Sequence, residues 1–169
     1  MREEHEGRIK FLFPDEWDVL KYENTELYKN KLMKIQNTKA VDFVCKNEER
    51  VMLLEVKRYK EKPFCETKTD LANFIQEVAW QFRDTLFGLA VAQASEDNTL
   101  ADFGAAIGQN GVKLVLLLEL ESLPPSQTRE MVRADVLTKL KQLFSLKNFA
   151  VRVVDTSSLT RSTWKAEVE

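Results

Sequence analysis

Two apolar segments interrupted by charged residues, both within residues 40–59, constrain the fold of this chain more than any other feature. The first segment, AVDFVC, contains Asp42, and the second, VMLLEVK, contains Glu55 and Lys57. The polar residues 46–50 between them predict two antiparallel strands joined by a hairpin. A charged side chain inside a buried strand costs free energy unless it is paired or binds a metal ion. The two segments therefore predict a strand pair that also carries a functional site.

The alternation of side chains along a strand predicts which of these charged residues share a face of the sheet. Glu55 and Lys57 are two residues apart, so their side chains lie on the same face. A hairpin loop of two or of four residues places Asp42 opposite Leu53, on that face and diagonal to Glu55. A bulge, or a loop of odd length without one, would place Asp42 on the other face. We therefore expect two carboxylates and one ammonium group on a single patch of sheet.

Overall composition excludes several classes of protein. The 169 residues, which contain no repeats, predict one domain, residues 1–169, with a core that needs no covalent cross-links. The 25 basic and 27 acidic residues give a net charge of −2, so any nucleic-acid binding requires a local basic patch. One histidine and the lack of a CxxC motif argue against zinc chemistry.

Apolar runs and cysteines predict where the protein is found. The longest apolar run, residues 114–118, is much shorter than the ~20 residues of a membrane span, and no signal peptide is evident. Cys45 and Cys65 fit a reducing environment. We expect a cytoplasmic protein that has no membrane partner.

Periodicity in the remaining sequence predicts an α/β fold. The predicted strands are residues 8–13, 112–120 and 149–154, and the predicted helices are residues 25–36, 69–94 and 126–146. Residues 17–22 either pair with the first strand as a hairpin or begin a helix, and we favour the strand. Residues 1–7 are expected to be frayed. Strands that alternate with long helices predict a central mixed sheet flanked by helices.

The sequence Val41-Asp42, followed after twelve residues by Glu55-Val56-Lys57, resembles the motif of the PD-(D/E)xK nuclease superfamily. Valine takes the place of the motif's proline, and the resemblance extends over the hairpin and the following helix, about residues 40–86. It implies a restriction endonuclease-like fold in which Asp42 and Glu55 bind one or two Mg²⁺ (or Mn²⁺) ions. It also implies that Lys57 is catalytic, either by positioning or deprotonating the attacking water or by stabilising transition-state charge.

The same resemblance suggests further residues for the site. Family members often take another metal-binding carboxylate from the helix before the hairpin, where Glu23 and Glu26 are the candidates and Glu16 is a third. Gln76 and Trp80 resemble the Gln-xxx-Tyr element of exonuclease branches, with tryptophan in place of tyrosine. The alternative, which we favour, is a plain helix that packs on the core.

A basic stretch directly follows the second segment. Residues 57–68 contain five basic and two acidic side chains. The functional interpretation is a rim that contacts nucleic-acid phosphates, and the alternative is a solvated loop. The residues predicted to bind nucleic acid are Arg58, Lys60, Lys62 and Lys68.

Three hypotheses for function follow from these observations. The first is a Mg²⁺-dependent nuclease that hydrolyses phosphodiester bonds, with DNA as the expected nucleic acid. The second is a non-catalytic nuclease-fold module for interaction or assembly, with a protein partner or a second copy of the chain; the slightly acidic composition favours it. The third is a metal-dependent hydrolase that acts on a small phosphorylated substrate. A plain ion pair between Glu55 and Lys57 on a solvated strand is the structural alternative to all three.

Overall fold

Eight strands and four α-helices form the described part of the chain. The computed structural model describes residues 1–60, 64–65, 67–95 and 100–169. The strands are β1 (Arg2–Glu6), β2 (Ile9–Phe13), β3 (Asp18–Lys21), β4 (Phe43–Lys46), β5 (Val51–Tyr59), β6 (Val112–Leu120), β7 (Phe149–Val154) and β8 (Lys165–Val168). The helices are α1 (Glu26–Asn30), α2 (Lys68–Ala94), α3 (Ala101–Asn110) and α4 (Arg129–Leu143).

A mixed five-stranded sheet lies at the centre of the fold, in the order β3-β4-β5-β6-β7. Strands β3, β4 and β5 are antiparallel neighbours, whereas β5, β6 and β7 run parallel. Helices α2 and α3 connect β5 to β6, and α4 connects β6 to β7, because parallel neighbours require crossover connections. The predicted α/β class with a mixed central sheet is therefore confirmed.

The two faces of this sheet are covered differently. Helices α2, α3 and α4 pack on one face, against side chains such as Leu53 and Leu116. A second sheet, in the order β1-β2-β8, packs on the other face through Phe11, Phe13 and Trp164. Strands β5 and β6 are buried on both faces, which explains why their sequences are almost continuously apolar.

The N-terminal residues differ from the prediction in two respects. Residues 1–7 were expected to be frayed, but β1 pairs with β2 through backbone hydrogen bonds, which need no apolar side chains. The predicted hairpin between residues 8–13 and 17–22 is also wrong, because β3 pairs with β4 in the central sheet. Both errors concern the partner of a strand, which a local sequence pattern does not specify.

The helix before the hairpin is shorter than predicted. Thr25 caps α1 by accepting a hydrogen bond from the backbone N–H of Tyr28, as the sequence suggested. The α-helix ends at Asn30, and the 3-10 helix Leu32–Lys34 follows. None of the helices formed by residues 1–60, 64–65, 67–95 and 100–169 has both the length and the apolar character needed to cross a membrane.

Helix α2 packs tightly against the preceding segment at Gly88. A Cβ atom added to Gly88 would lie 1.9 Å from the hydroxyl oxygen of Tyr22 and 2.7 Å from Cδ1 of Leu32. The Tyr22 hydroxyl is itself buried and has no hydrogen-bond partner among the described residues. This contact therefore combines tight packing with an unsatisfied polar group.

We expect Gly88→Ala to lower the free energy of unfolding by about 1–3 kcal/mol, because the added methyl group overpacks the contact. Tyr22→Phe is expected to raise it by about 1 kcal/mol, since the variant lacks the buried, unsatisfied hydroxyl. Urea unfolding measures both effects. Gly108→Ala is the matched control, because an added Cβ meets nothing within 4 Å in α3. An equal cost of Gly88→Ala with and without the Tyr22 hydroxyl would contradict this explanation.

Candidate active site

Asp42 and Glu55 face each other where β4 and β5 begin to separate. The ladder pairs Phe43 with Leu54, and the same register extended by one residue places Asp42 opposite Glu55. A carboxylate oxygen of Asp42 accepts a hydrogen bond of 2.7 Å from the backbone N–H of Val56. The shared face was predicted correctly. The diagonal position opposite Leu53 was wrong, because the hairpin loop is residues 47–50, which moves the register by two residues.

Glu55 is held between a lysine and a glutamine deep in the structure. Its side chain is only 2% exposed. One carboxylate oxygen lies 3.1 Å from Nζ of Lys57 and accepts a hydrogen bond of 2.5 Å from the side-chain amide of Gln81. The other carboxylate oxygen, and the amide oxygen of Gln81, have no hydrogen-bond partner in the described part of the chain. Two buried acceptor oxygens thus lie in one site without a donor.

Both carboxyl groups bind a proton more tightly than usual, because their pKa values are raised. Burial raises the pKa of Glu55 to about 8, and the negative charge of Asp42 adds to this effect against the opposing influence of Lys57 and Gln81. Burial also raises the pKa of Asp42 to about 7, although the hydrogen bond from Val56 opposes the change. The two groups titrate as a pair, and their combined negative charge favours a bound proton or a bound cation.

Lys57 is held in its charged form. Its Nζ lies 3.0 Å from a carboxylate oxygen of Glu77 on α2, in addition to its contact with Glu55. Burial alone would lower the pKa of Lys57, but the two carboxylates outweigh burial and the pKa is raised. A lysine that stays protonated donates hydrogen bonds and stabilises anionic oxygen, and it does not take a proton from water.

Three polar residues of α2 lie along the site at a spacing of four residues. Glu77 contacts Lys57, Gln81 contacts Glu55, and the hydroxyl of Thr85 accepts a hydrogen bond of 3.1 Å from the backbone N–H of Val41. Sequence analysis missed Gln81 and Thr85. The signal that could have identified them is a polar row, four residues apart, beside the apolar stripe of the helix.

Gln76 and Trp80, which resemble the exonuclease element, do not join the carboxylates. Gln76 and Trp80 are exposed, whereas the buried glutamine of the site is Gln81, one residue further along α2. One residue corresponds to a rotation of about 100° around a helix, so Trp80 and Gln81 face different directions. Helix α2 packs on the core as expected, but Gln76 and Trp80 lie outside its buried face.

The additional carboxylates predicted to bind metal, Glu23 and Glu26, do not form a cluster with Asp42 and Glu55. Glu26 is hydrogen-bonded to Asn30 within α1, and Glu23 is exposed in the 3-10 helix Tyr22–Asn24. Glu23 still acts on the site through its charge, because it contributes to the raised pKa of Asp42. In the ranges that the structure describes, no three His, Cys, Asp or Glu side chains are grouped closely enough to hold a metal ion.

The donor set nevertheless fits one kind of metal ion. Asp42 and Glu55 supply two carboxylates, and the unpaired oxygens of Glu55 and Gln81 supply buried acceptors. Oxygen ligands suit Mg²⁺, which is commonly held by one or two carboxylates and completed by water and substrate phosphate. These oxygen atoms would therefore suit a Mg²⁺ ion.

The predicted basic rim is not assembled around the carboxylates. Arg58 pairs with Glu121, and alternation along β5 directs it to the face opposite Glu55. Lys60 and Lys68 are exposed and form no ion pair with another described residue. Lys62 lies outside the described residues.

Comparison with protein-family models, with curated proteins and with solved structures gives no significant match to this chain.

Proposed function

We propose that this protein is a metal-dependent nuclease of the PD-(D/E)xK type that hydrolyses phosphodiester bonds in DNA. The observation that carries the proposal is the meeting of Asp42, Glu55 and Lys57 on one face, with two buried acceptor oxygens that lack donors. The restriction endonuclease-like fold belongs to the same proposal, and the mixed sheet with the site on its β4-β5 hairpin supports it.

The charge balance favours a cation-binding site over a structural ion pair. A structural pair needs one acid for one base, but here Lys57 contacts both Glu55 and Glu77. Asp42 adds a third acid, close enough to feel the charge of Lys57. Removing carboxylates from water costs several kcal/mol each, so an unbalanced buried pair is unfavourable in the apo protein. Such a cost is expected at a site that binds a cation.

The side chains supply distinct parts of the proposed reaction. Asp42 and Glu55 would hold Mg²⁺, which when bound supplies a nucleophilic water and neutralises charge on the scissile phosphate. The carboxyl pair must release its proton for this role. Lys57, which is held charged, donates to the anionic oxygen that develops in the transition state. Gln81 fixes the orientation of the Glu55 carboxylate by its hydrogen bond.

A cleavage assay with controlled metal content tests this proposal. Supercoiled, linear and single-stranded DNA are incubated with the protein in Mg²⁺, in Mn²⁺ and in EDTA, together with a small phosphodiester such as bis(p-nitrophenyl) phosphate. We expect cleavage of DNA with either metal and none in EDTA, because the carboxylates alone do not activate water. Asp42→Asn should abolish cleavage and keep a cooperative melting transition. Activity that persists in EDTA or in Asp42→Asn would refute the assigned site.

A non-catalytic interaction module is the second candidate. Glu55 is almost fully buried, and Lys57 is bridged to Glu77, so the site is closed in this conformation. This candidate predicts no cleavage of any substrate under any metal condition. The small-substrate hydrolase predicts cleavage of the small phosphodiester without cleavage of DNA. We place the protein in the cytoplasm in each case, because Cys45 and Cys65 are free thiols.

A further inference from the structure

A groove beside the candidate active site has features that the proposed chemistry does not explain. It lies between α2 and residues 35–39 and has a volume of about 610 Å³. Its lining includes Trp80 and Phe87 from α2, and Ile35 from the facing segment. We call it the α2 groove.

The aromatic side chains of the α2 groove are unusually open to solvent. Trp80 is 41% exposed and Phe87 is 56% exposed, and Ile35 beside them is also exposed. A contiguous apolar surface of this kind on a soluble protein commonly marks a binding site. The exposure of these two aromatic rings therefore indicates a ligand-binding surface.

The wall that faces α2 belongs to a basic segment of a chain whose net charge is −2. Lys39 from this segment lines the groove, and its other lysines precede the lining residues 35–39 in the sequence. Residues 29–39 contain four lysines and no acidic residue. All four lysines are exposed, and none forms an ion pair with another residue that the structure describes. On α2 itself, Arg83 also lines the groove, where it pairs with Asp84 at 2.7 Å. The four lysines are Lys29, Lys31, Lys34 and Lys39.

The α2 groove and the candidate active site lie along the same helix, α2. Glu77, Trp80, Asp84 and Phe87 are spaced by three or four residues, so they form one line along α2, about 15 Å long. This line begins at Glu77, which contacts Lys57. The facing segment also leads to the site, because the backbone N–H of Lys39 donates to Asp84 and Asp42 follows three residues later.

We propose that the α2 groove binds single-stranded nucleic acid, with unpaired bases stacked on Trp80 and Phe87 and phosphates close to Lys39 and Arg83. Single-strand binding sites combine aromatic platforms with a positively charged groove in this way. A protein partner fits the charge less well, because lysine is depleted in protein–protein interfaces. The inference rests on the proposed nuclease function in one respect. If the protein is a nuclease, the groove directs the bound strand towards Asp42 and Glu55.

Tryptophan fluorescence provides a direct test. Trp17 and Trp164 are only 7% and 3% exposed and belong to the core between the two sheets, so an added ligand quenches mainly Trp80. A short oligothymidylate is titrated into the protein in EDTA, and the same titration is made with duplex DNA and with polyglutamate. We expect saturable quenching by the single strand, weaker quenching by the duplex and none by polyglutamate.

Variants then identify the surface that binds. With a fluorescently labelled oligothymidylate, Trp80→Ala and Phe87→Ala should each weaken binding by roughly 5-fold to 100-fold, as expected when one stacked base loses its platform. Lys39→Glu should weaken binding and reduce its salt dependence. Met131→Ala is the matched control, because this exposed side chain lies on α4 outside the groove.

The outcomes separate this inference from the proposed function. If the oligonucleotide binds through Trp80 and Phe87 but no DNA is cleaved, the groove is supported and the nuclease proposal fails. If DNA is cleaved while both aromatic variants bind and cleave single strands normally, the groove inference is wrong and the nuclease proposal remains. If the protein dimerises and Phe87→Ala abolishes dimerisation without an effect on oligonucleotide binding, the groove is a subunit interface and the inference is overturned.

Discussion

Lys57→Ala is expected to reduce Mg²⁺-dependent DNA cleavage by roughly 100-fold to 1,000-fold, the range seen when one donor to a developing oxyanion is removed. The reason is that the structure holds Lys57 protonated beside the two carboxylates, where it can donate to developing negative charge on the phosphate. The measurement is the single-turnover cleavage rate at saturating metal concentration, which separates the chemical step from product release.

Two comparisons make this prediction specific. Lys165→Ala removes an exposed lysine from β8 in the small sheet and should leave the rate unchanged. Lys57→Arg keeps the charge but changes the geometry, so it should restore only part of the activity. If Lys57→Ala cleaves within a few-fold of the wild-type rate, Lys57 is a structural partner of Glu55 and Glu77, and the catalytic role is wrong.

Alternation along strands made the shared face of the site predictable, whereas the detailed register was not. Any shift of the register by an even number of residues keeps Asp42 on the face of Glu55. The prediction of the shared face therefore held although the register was wrong by two residues. The same rule, applied to Arg58, would have shown that it faces away from the carboxylates. The density of basic residues in the sequence therefore assigned Arg58 to the basic rim incorrectly.

The features that sequence analysis missed depend on long-range packing. Gln81 and Thr85 reach the site because of how α2 is rotated against the sheet, which local periodicity defines only to within a residue. Strand β1 forms because its backbone finds a partner in β2, and its polar sequence REEHE shows no apolar alternation. The basic segment, residues 29–39, gained significance only when the structure placed its last five residues, 35–39, opposite the exposed rings of α2.

Glu55→Gln is expected to stabilise the metal-free protein and to abolish cleavage, so stability and activity change in opposite directions. The pKa of Glu55 is raised in the folded state, which means that the folded protein binds the proton more tightly than the unfolded chain does. The contribution of Glu55 to wild-type stability is therefore most favourable below the usual pKa of 4.5 and is lost as the pH rises towards about 8. Glutamine stays neutral throughout, so the gain grows as the pH rises from 4.5 and reaches a few kcal/mol near pH 8.

Urea unfolding in EDTA at several pH values from 5 to 8 measures this gain. Glu119→Gln is the matched control, because Glu119 is also a buried strand acid but accepts a hydrogen bond of 2.6 Å from the backbone N–H of Thr156. Its carboxylate is satisfied, so the amide variant should not stabilise the protein. A fall in the stability of Glu55→Gln near pH 8 would show that Glu55 and Lys57 form a net stabilising ion pair.

Addition of Mg²⁺ should reverse the order of stability between the two proteins. A ligand that binds only the folded state stabilises it in proportion to the logarithm of its concentration relative to Kd. Wild-type protein has two carboxylates for the ion, whereas Glu55→Gln has one, so only the wild type should gain stability as Mg²⁺ is raised. Because the same carboxylate is unfavourable without a cation and favourable with one, equal Mg²⁺ responses of the two proteins would exclude Glu55 as a metal ligand.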